Sequence, residues 1–167
     1  MSEGLKIVLT AGLTIFGSVI VFVVSQIMQR RLIDPILEQR KVIGEIDVAL
    51  AYWANIIANP IPGHAMPSDP QSLGPQGKAI DELRSLAARL RAATNAVWFN
   101  WLTDKLGLIS LKPVAADIIW DVAKRLIRLS NSVFLSPGRE PFDVERRNDA
   151  DMKAIRASLG IPGEGAE

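Results

Sequence analysis

From Ile7 to Gln29 the chain runs for 23 residues without a charged side chain, and Arg30 and Arg31 follow at once. At about 1.5 Å per residue, such a run forms a helix that reaches across the roughly 30 Å hydrocarbon core of a bilayer. No second run of this kind exists in the sequence, so everything after it is expected to hang from a membrane by one helix. The run exceeds the roughly 7–15 residue apolar core of a secretory signal, and Val23-Val24-Ser25-Gln26 is a poor cleavage site; an uncleaved anchor is expected. Glu3 and Lys6 precede it, whereas Arg30, Arg31, Arg40 and Lys41 follow it. Positive-inside reasoning then leaves residues 1–6 as a short extracytoplasmic N-terminus, 7–29 in the inner membrane as a single pass, and the C-terminal part in the cytoplasm.

The anchor is not uniformly apolar. Thr10, Thr14, Gly17, Ser18, Ser25 and Gln29 recur at spacings of three, four or seven, opposite Ile15, Phe16, Val19, Ile20, Phe22 and Val23. Lipid gives no reward for a small, polar stripe, whereas a second helix does: small residues permit close approach and hydroxyls can bond across it. Each such bond contributes only about 1 kcal/mol, so firm assembly needs several copies. The same hydroxyls can instead bond back to carbonyls of their own helix. Self-association through this stripe is the expectation, with a water-lined pore as its further step.

Composition narrows what the remaining chain can do. Roughly 135 residues suffice for one ordinary domain. Without cysteine there is no disulfide framework and no thiolate chemistry, and with His64 as the sole histidine most zinc and triad sites are excluded. A net charge of +1 gives no global reason to expect nucleic acid. No cofactor or metal site is expected.

The pattern after the anchor is helical throughout, with no stretch that reads as strand. Asp34-Pro35 suits an N-cap followed by a first helical residue. Ile36, Ile43, Leu50 and Ile57, with Ile46 and Trp53 between, predict a helix from about Pro35 to Ala58. Residues 59–77 are rich in proline and glycine and read as a long loop that includes His64. A helix from Lys78 to about Leu106 follows, its seam Ile80, Leu83, Ala87, Leu90, Thr94, Val97 and Trp101. Arg84, Arg89 and Arg91 lie outside that seam, and Trp98, Phe99 and Trp101 gather at its far end. Lys112-Pro113 opens a fourth segment to about Phe134, with Ile118, Val122, Leu126, Leu129 and Val133 inward. The last helix is predicted from about Asn148 to Leu159, closed by Gly160, with a frayed tail over 161–167. The expected fold is all-α: one transmembrane helix, then a cytoplasmic four-helix bundle over 30–160.

Two polar stretches stand out. Arg146 and Arg147, read at the start of the last helix, sit unfavourably against the positive end of its dipole unless they meet an anion or a partner. Asn148 in this reading is the cap. Lys124, Arg125 and Arg128 add charge from the preceding helix, so these six residues form a candidate site for RNA, anionic lipid or a partner protein. No aromatic residues interleave with them, which weighs against single-strand stacking.

The segments LIDPILEQRKVIGEIDVALAYWANIIANP, LRSLAARLRA and RLIRLSNSV resemble a family of short, uncharacterised bacterial proteins with one N-terminal membrane span. In architecture the chain also resembles the small membrane accessory protein of type VI-B CRISPR systems, whose bundle is similar to HEPN domains. That resemblance implies an oligomeric membrane pore that aids antiphage defence. Ribonuclease members of the HEPN family carry Arg, four residues, then His; here Arg147 is followed, after four residues, by Met152, which cannot transfer a proton.

The expected function is therefore non-enzymatic. A membrane-anchored helical protein self-assembles through its span, as a pore-forming or membrane-disrupting effector in antiphage defence. The expected partners are the lipid bilayer and further copies of the chain, with a partner protein on the bundle and nucleic acid at Arg146 and Arg147 held as lesser possibilities. The alternatives are an accessory or tethering subunit of a larger membrane complex, and a membrane-anchored HEPN-type ribonuclease.

Overall fold

One helix carries the chain from Glu3 to Tyr52 without interruption. In the computed structural model, which describes residues 2–62, 73–96, 113–135 and 140–162, its first part is α1 (Glu3–Met28), followed by a π-helical stretch (Gln29–Ile33) and α2 (Asp34–Tyr52). The apolar helix does not stop at Asp34 but continues into α2. Asp34 is not an N-cap: its backbone is helical, and its N–H bonds to the carbonyl of Gln29, five residues back. Pro35 lacks an N–H and crowds the preceding turn, and a wide turn just before it is a usual way for a helix to accept proline.

Alpha-helix α1 is long and apolar enough to cross a membrane, and it buries none of its residues against the rest of the chain. Burial begins at Ile36. From there the chain forms a bundle: α2 with the short α3 (Ala54–Ala58), then α4 (Gly74–Ala96), α5 (Ala116–Ser132) and α6 (Pro141–Leu159). The most extensive packing is of α4 on α5 and on α2, and α6 lies against α5 and α3. The all-α expectation holds, with one small addition. Ile61–Pro62 (β1) and Phe134–Leu135 (β2) pair in parallel over two residues each, and Ile61 N–H donates to the Val133 carbonyl at 3.0 Å.

Most of the predicted seam positions fill the core: Ile46, Leu50 and Ile57 meet Leu83, Ala87 and Leu90 and, from α5, Val122, Leu126 and Leu129. Ile43 and Ile80 are only partly buried, and their neighbours Val42 and Ala79 take the inward positions. Helix boundaries also differ from expectation. Helix α4 begins at Gly74, inside the predicted loop, and α6 begins at Pro141, seven residues before Asn148. On α5, Ile119 is buried while Ile118 faces outward. His64, Val97, Trp98, Phe99, Trp101 and the tail beyond Pro162, for which the sequence raised expectations, lie outside the described residues. At the end of α6, Gly160 takes the left-handed conformation (φ 68°), and Ile161 N–H returns to the Arg156 carbonyl at 2.9 Å, closing the helix as predicted.

Polar pairs fix how the helices run. Gln39 is fully buried on α2; its Nε2 donates to Thr94 Oγ1 at 2.9 Å, and its Oε1 accepts from Val114 N–H at 2.9 Å. Trp53, at the other end of α2, donates to Glu82 on α4. Arg84 donates to Ser130 and Asn131 near the end of α5. Helices α2, α4 and α5 therefore alternate in direction, so the end of α5 and the start of α6 lie at the pole of the bundle farthest from α1.

Arg89 clamps α4 to α2 by donating to both Glu45 and Glu38. The Arg89 hydrogen bond holds the Glu45 carboxyl below its ordinary value. A depressed folded pKa contributes stability that is present above the ordinary carboxylate range and is lost as pH falls through the folded value. The expected result is that Glu45→Gln costs stability at neutral pH, and that wild type and variant converge in urea midpoint as pH falls below that range. A constant difference down to strongly acid pH would show that the ion pair does not contribute in this way.

Candidate functional site

The stripe on α1 is built as the spacing predicts, with its hydroxyls already occupied. Thr10, Thr14 and Ser18 each donate to the carbonyl four residues earlier, all at 2.9 Å. Each oxygen retains accepting capacity, but none needs a partner to satisfy its proton. Thr10, Thr14, Gly17, Ser18, Ser25 and Gln29 are all exposed, and nothing stands within 4 Å of where a side chain on Gly17 would begin. A second helix can thus reach the backbone there.

The basic residues of the bundle separate into distinct roles. Because α6 starts at Pro141, Arg146 and Arg147 lie inside the helix and not at its N-terminus, so the argument from the dipole does not apply to them. Asn148 is not a cap. It is fully buried, and its Nδ2 donates to the Ile57 carbonyl at 2.8 Å, tying α6 to the end of α3, while its Oδ1 is buried without a partner. Arg146 is exposed to solvent.

Asp151, whose side chain is 5% exposed, gathers two of the α5 cations. Arg125 Nη1 and Arg128 Nη2 both donate to its Oδ1 at 2.9 Å, and Arg128 Nε stands 2.7 Å from Oδ2. Arg125 also donates to Asp121, which holds that carboxyl below its ordinary value. The burial of Asp151 between two arginines depends on how α5 and α6 pack, and no local spacing encodes that.

Arg147 behaves differently. Among the described residues it makes no hydrogen bond or ion pair, and its Nε is buried without a partner. A buried unsatisfied donor typically costs about 1–3 kcal/mol, more when charged, so this guanidinium is left incompletely satisfied by the described residues. It lines a pocket of about 320 Å³ at the pole away from α1, together with Lys124, Arg128, Asn131 and Ser132. Ile127, Phe134, Leu135 and Val144 form the apolar wall. The β1–β2 pairing positions Phe134 and Leu135, and the earlier start of α6 brings in Val144. Of the six predicted polar residues, then, the structure unites Lys124, Arg128 and Arg147 and sends the other three elsewhere.

Met152, where the HEPN resemblance wants histidine, is partly buried and packs against the core cluster. No protein-family model, no curated protein and no solved structure matches this chain.

Proposed function

We propose that the protein is a non-enzymatic membrane protein that assembles with copies of itself through α1, the bundle lying on the cytoplasmic side of the inner membrane. The observation that carries this reading is α1 itself: apolar, unburied against its own chain, and marked on one side by small and hydroxyl residues. The back-bonded hydroxyls temper the stripe as a source of interhelical hydrogen bonds and leave close packing at Gly17 and the serines as its main contribution. A ring of such helices is the route by which the assembly becomes a pore or a membrane-disrupting effector, and antiphage defence is the role that the resemblance to the CRISPR accessory protein suggests. A HEPN-like bundle of this kind, with Met152 at the position of the proton-transfer group, has no ribonuclease chemistry at that residue.

The test is the mass of the full chain in mild detergent. A large homo-oligomer is expected. Monomer in several detergents overturns the proposal, and stoichiometric foreign chains in the purified particle favour the accessory-subunit reading instead.

A further inference from the structure

The pocket around Arg147 has the make-up of a small-ligand site. Among the described residues Arg147 has no partner and Lys124 forms no ion pair, and Arg128 shares its charge with Asp151. No carboxylate among the described residues lines the cavity. Arg84 donates to Oδ1 of Asn131, and the NH2 group of Asn131 has no partner among the described residues. The charged groups of the described lining are all cations, and Asn131 adds an NH2 donor beside the Ser132 hydroxyl, whose proton goes to the Leu129 carbonyl; the three cations suit an anion with several acceptor oxygens.

The opposite wall is apolar, with Phe134 partly exposed and Leu135 and Val144 behind it. A volume of about 320 Å³ stands at the low end for ligand cavities, enough for one compact organic molecule. We propose that this pocket binds a nucleoside phosphate, its phosphate held by Arg147, Lys124 and Arg128 and its ring against Phe134.

Two placements select a soluble small ligand. The pocket lies beside the end of α3 and β1, and α2 alone spans about 28 Å from Asp34 to Trp53, so headgroups at the end of α1 are out of reach. A polynucleotide needs a basic track beyond one pocket, whereas Arg84, Arg89 and Arg125 are held by internal partners. The inference stands independently of whether α1 assembles.

The test is calorimetric titration of the full chain in mild detergent with the four nucleoside 5′-monophosphates, inorganic phosphate, adenosine, a polyuridine strand and phosphatidylglycerol vesicles. At least one monophosphate is expected to bind at one per chain, with its unphosphorylated nucleoside about tenfold weaker or worse. Arg147→Ala and, separately, the exposed Lys124→Ala are expected to weaken it about tenfold, while Arg146→Ala, outside the pocket, leaves affinity unchanged. Lys124→Ala keeps the test decisive should Arg147→Ala fail to fold. No binding by any monophosphate at millimolar concentration, equal affinity in both pocket variants, or far tighter binding of the strand or the vesicles overturns the proposal.

Discussion

Asp151→Ala is expected to lower the unfolding free energy by about 2–3 kcal/mol, read from urea denaturation followed by circular dichroism. The carboxylate is buried and serves two guanidiniums from the neighbouring helix, so its loss strands two positive charges side by side. Breaking a buried pair usually costs about 3–5 kcal/mol. The lower figure applies here because the Arg125 and Arg128 side chains are 28% and 46% exposed and can turn toward water. Arg125 also keeps Asp121 as a partner. In an Arg128→Met background the same Asp151→Ala change is expected to cost less, because one of the two stranded charges is already gone. A loss below about 0.5 kcal/mol in the wild-type background would mean that α5 and α6 are held by their apolar seam alone.

That junction also marks where sequence reasoning stops. The seams of α2, α4 and α5 are legible because they are written in Ile, Leu, Val and Ala at helical spacing, and Leu50, Leu83, Leu90, Leu126 and Leu129 are buried as read. On α6 the inward positions are Val144, Asn148, Asp151, Ile155 and Leu159. Their spacing is helical, but two of the five are polar, so a search for apolar periodicity finds the helix only in its second half. Pro141 was the available signal, since proline suits a first helical position as well as a break. Gln39 is hidden in the same way on α2: its burial is justified only by Thr94 and Val114, far along the chain. Ile118 and Ile119 could not be separated, because both fall within a turn of Val122. The Arg147 pocket draws on α5, β2 and α6 at once, and no local pattern announces a cavity assembled from three elements.

The second large effect concerns α1. The double substitution Phe16→Arg and Ile20→Arg, both on the side away from the hydroxyl stripe, is expected to move the protein from the membrane fraction to the soluble or aggregated fraction on cell fractionation. Between Ile7 and Gln29 there are 13 Leu, Ile, Val and Phe residues. At about −0.3 to −0.6 kcal/mol each near the centre of a span, they favour insertion by roughly 4–8 kcal/mol before the Thr, Ser and Gln residues are counted against them. Two arginines near the middle add about 5–7 kcal/mol and remove two apolar contributions, which is enough to cancel the whole preference. The bundle should not notice. Because α1 buries nothing and the core begins at Ile36, a chain starting at Asp34 is expected to melt at the same temperature as the bundle of the intact protein. The two measurements separate anchoring from folding: retention of the double-arginine variant in the membrane would refute α1 as a lipid-exposed span, and a destabilised bundle on removing α1 would show that this helix packs on its own chain.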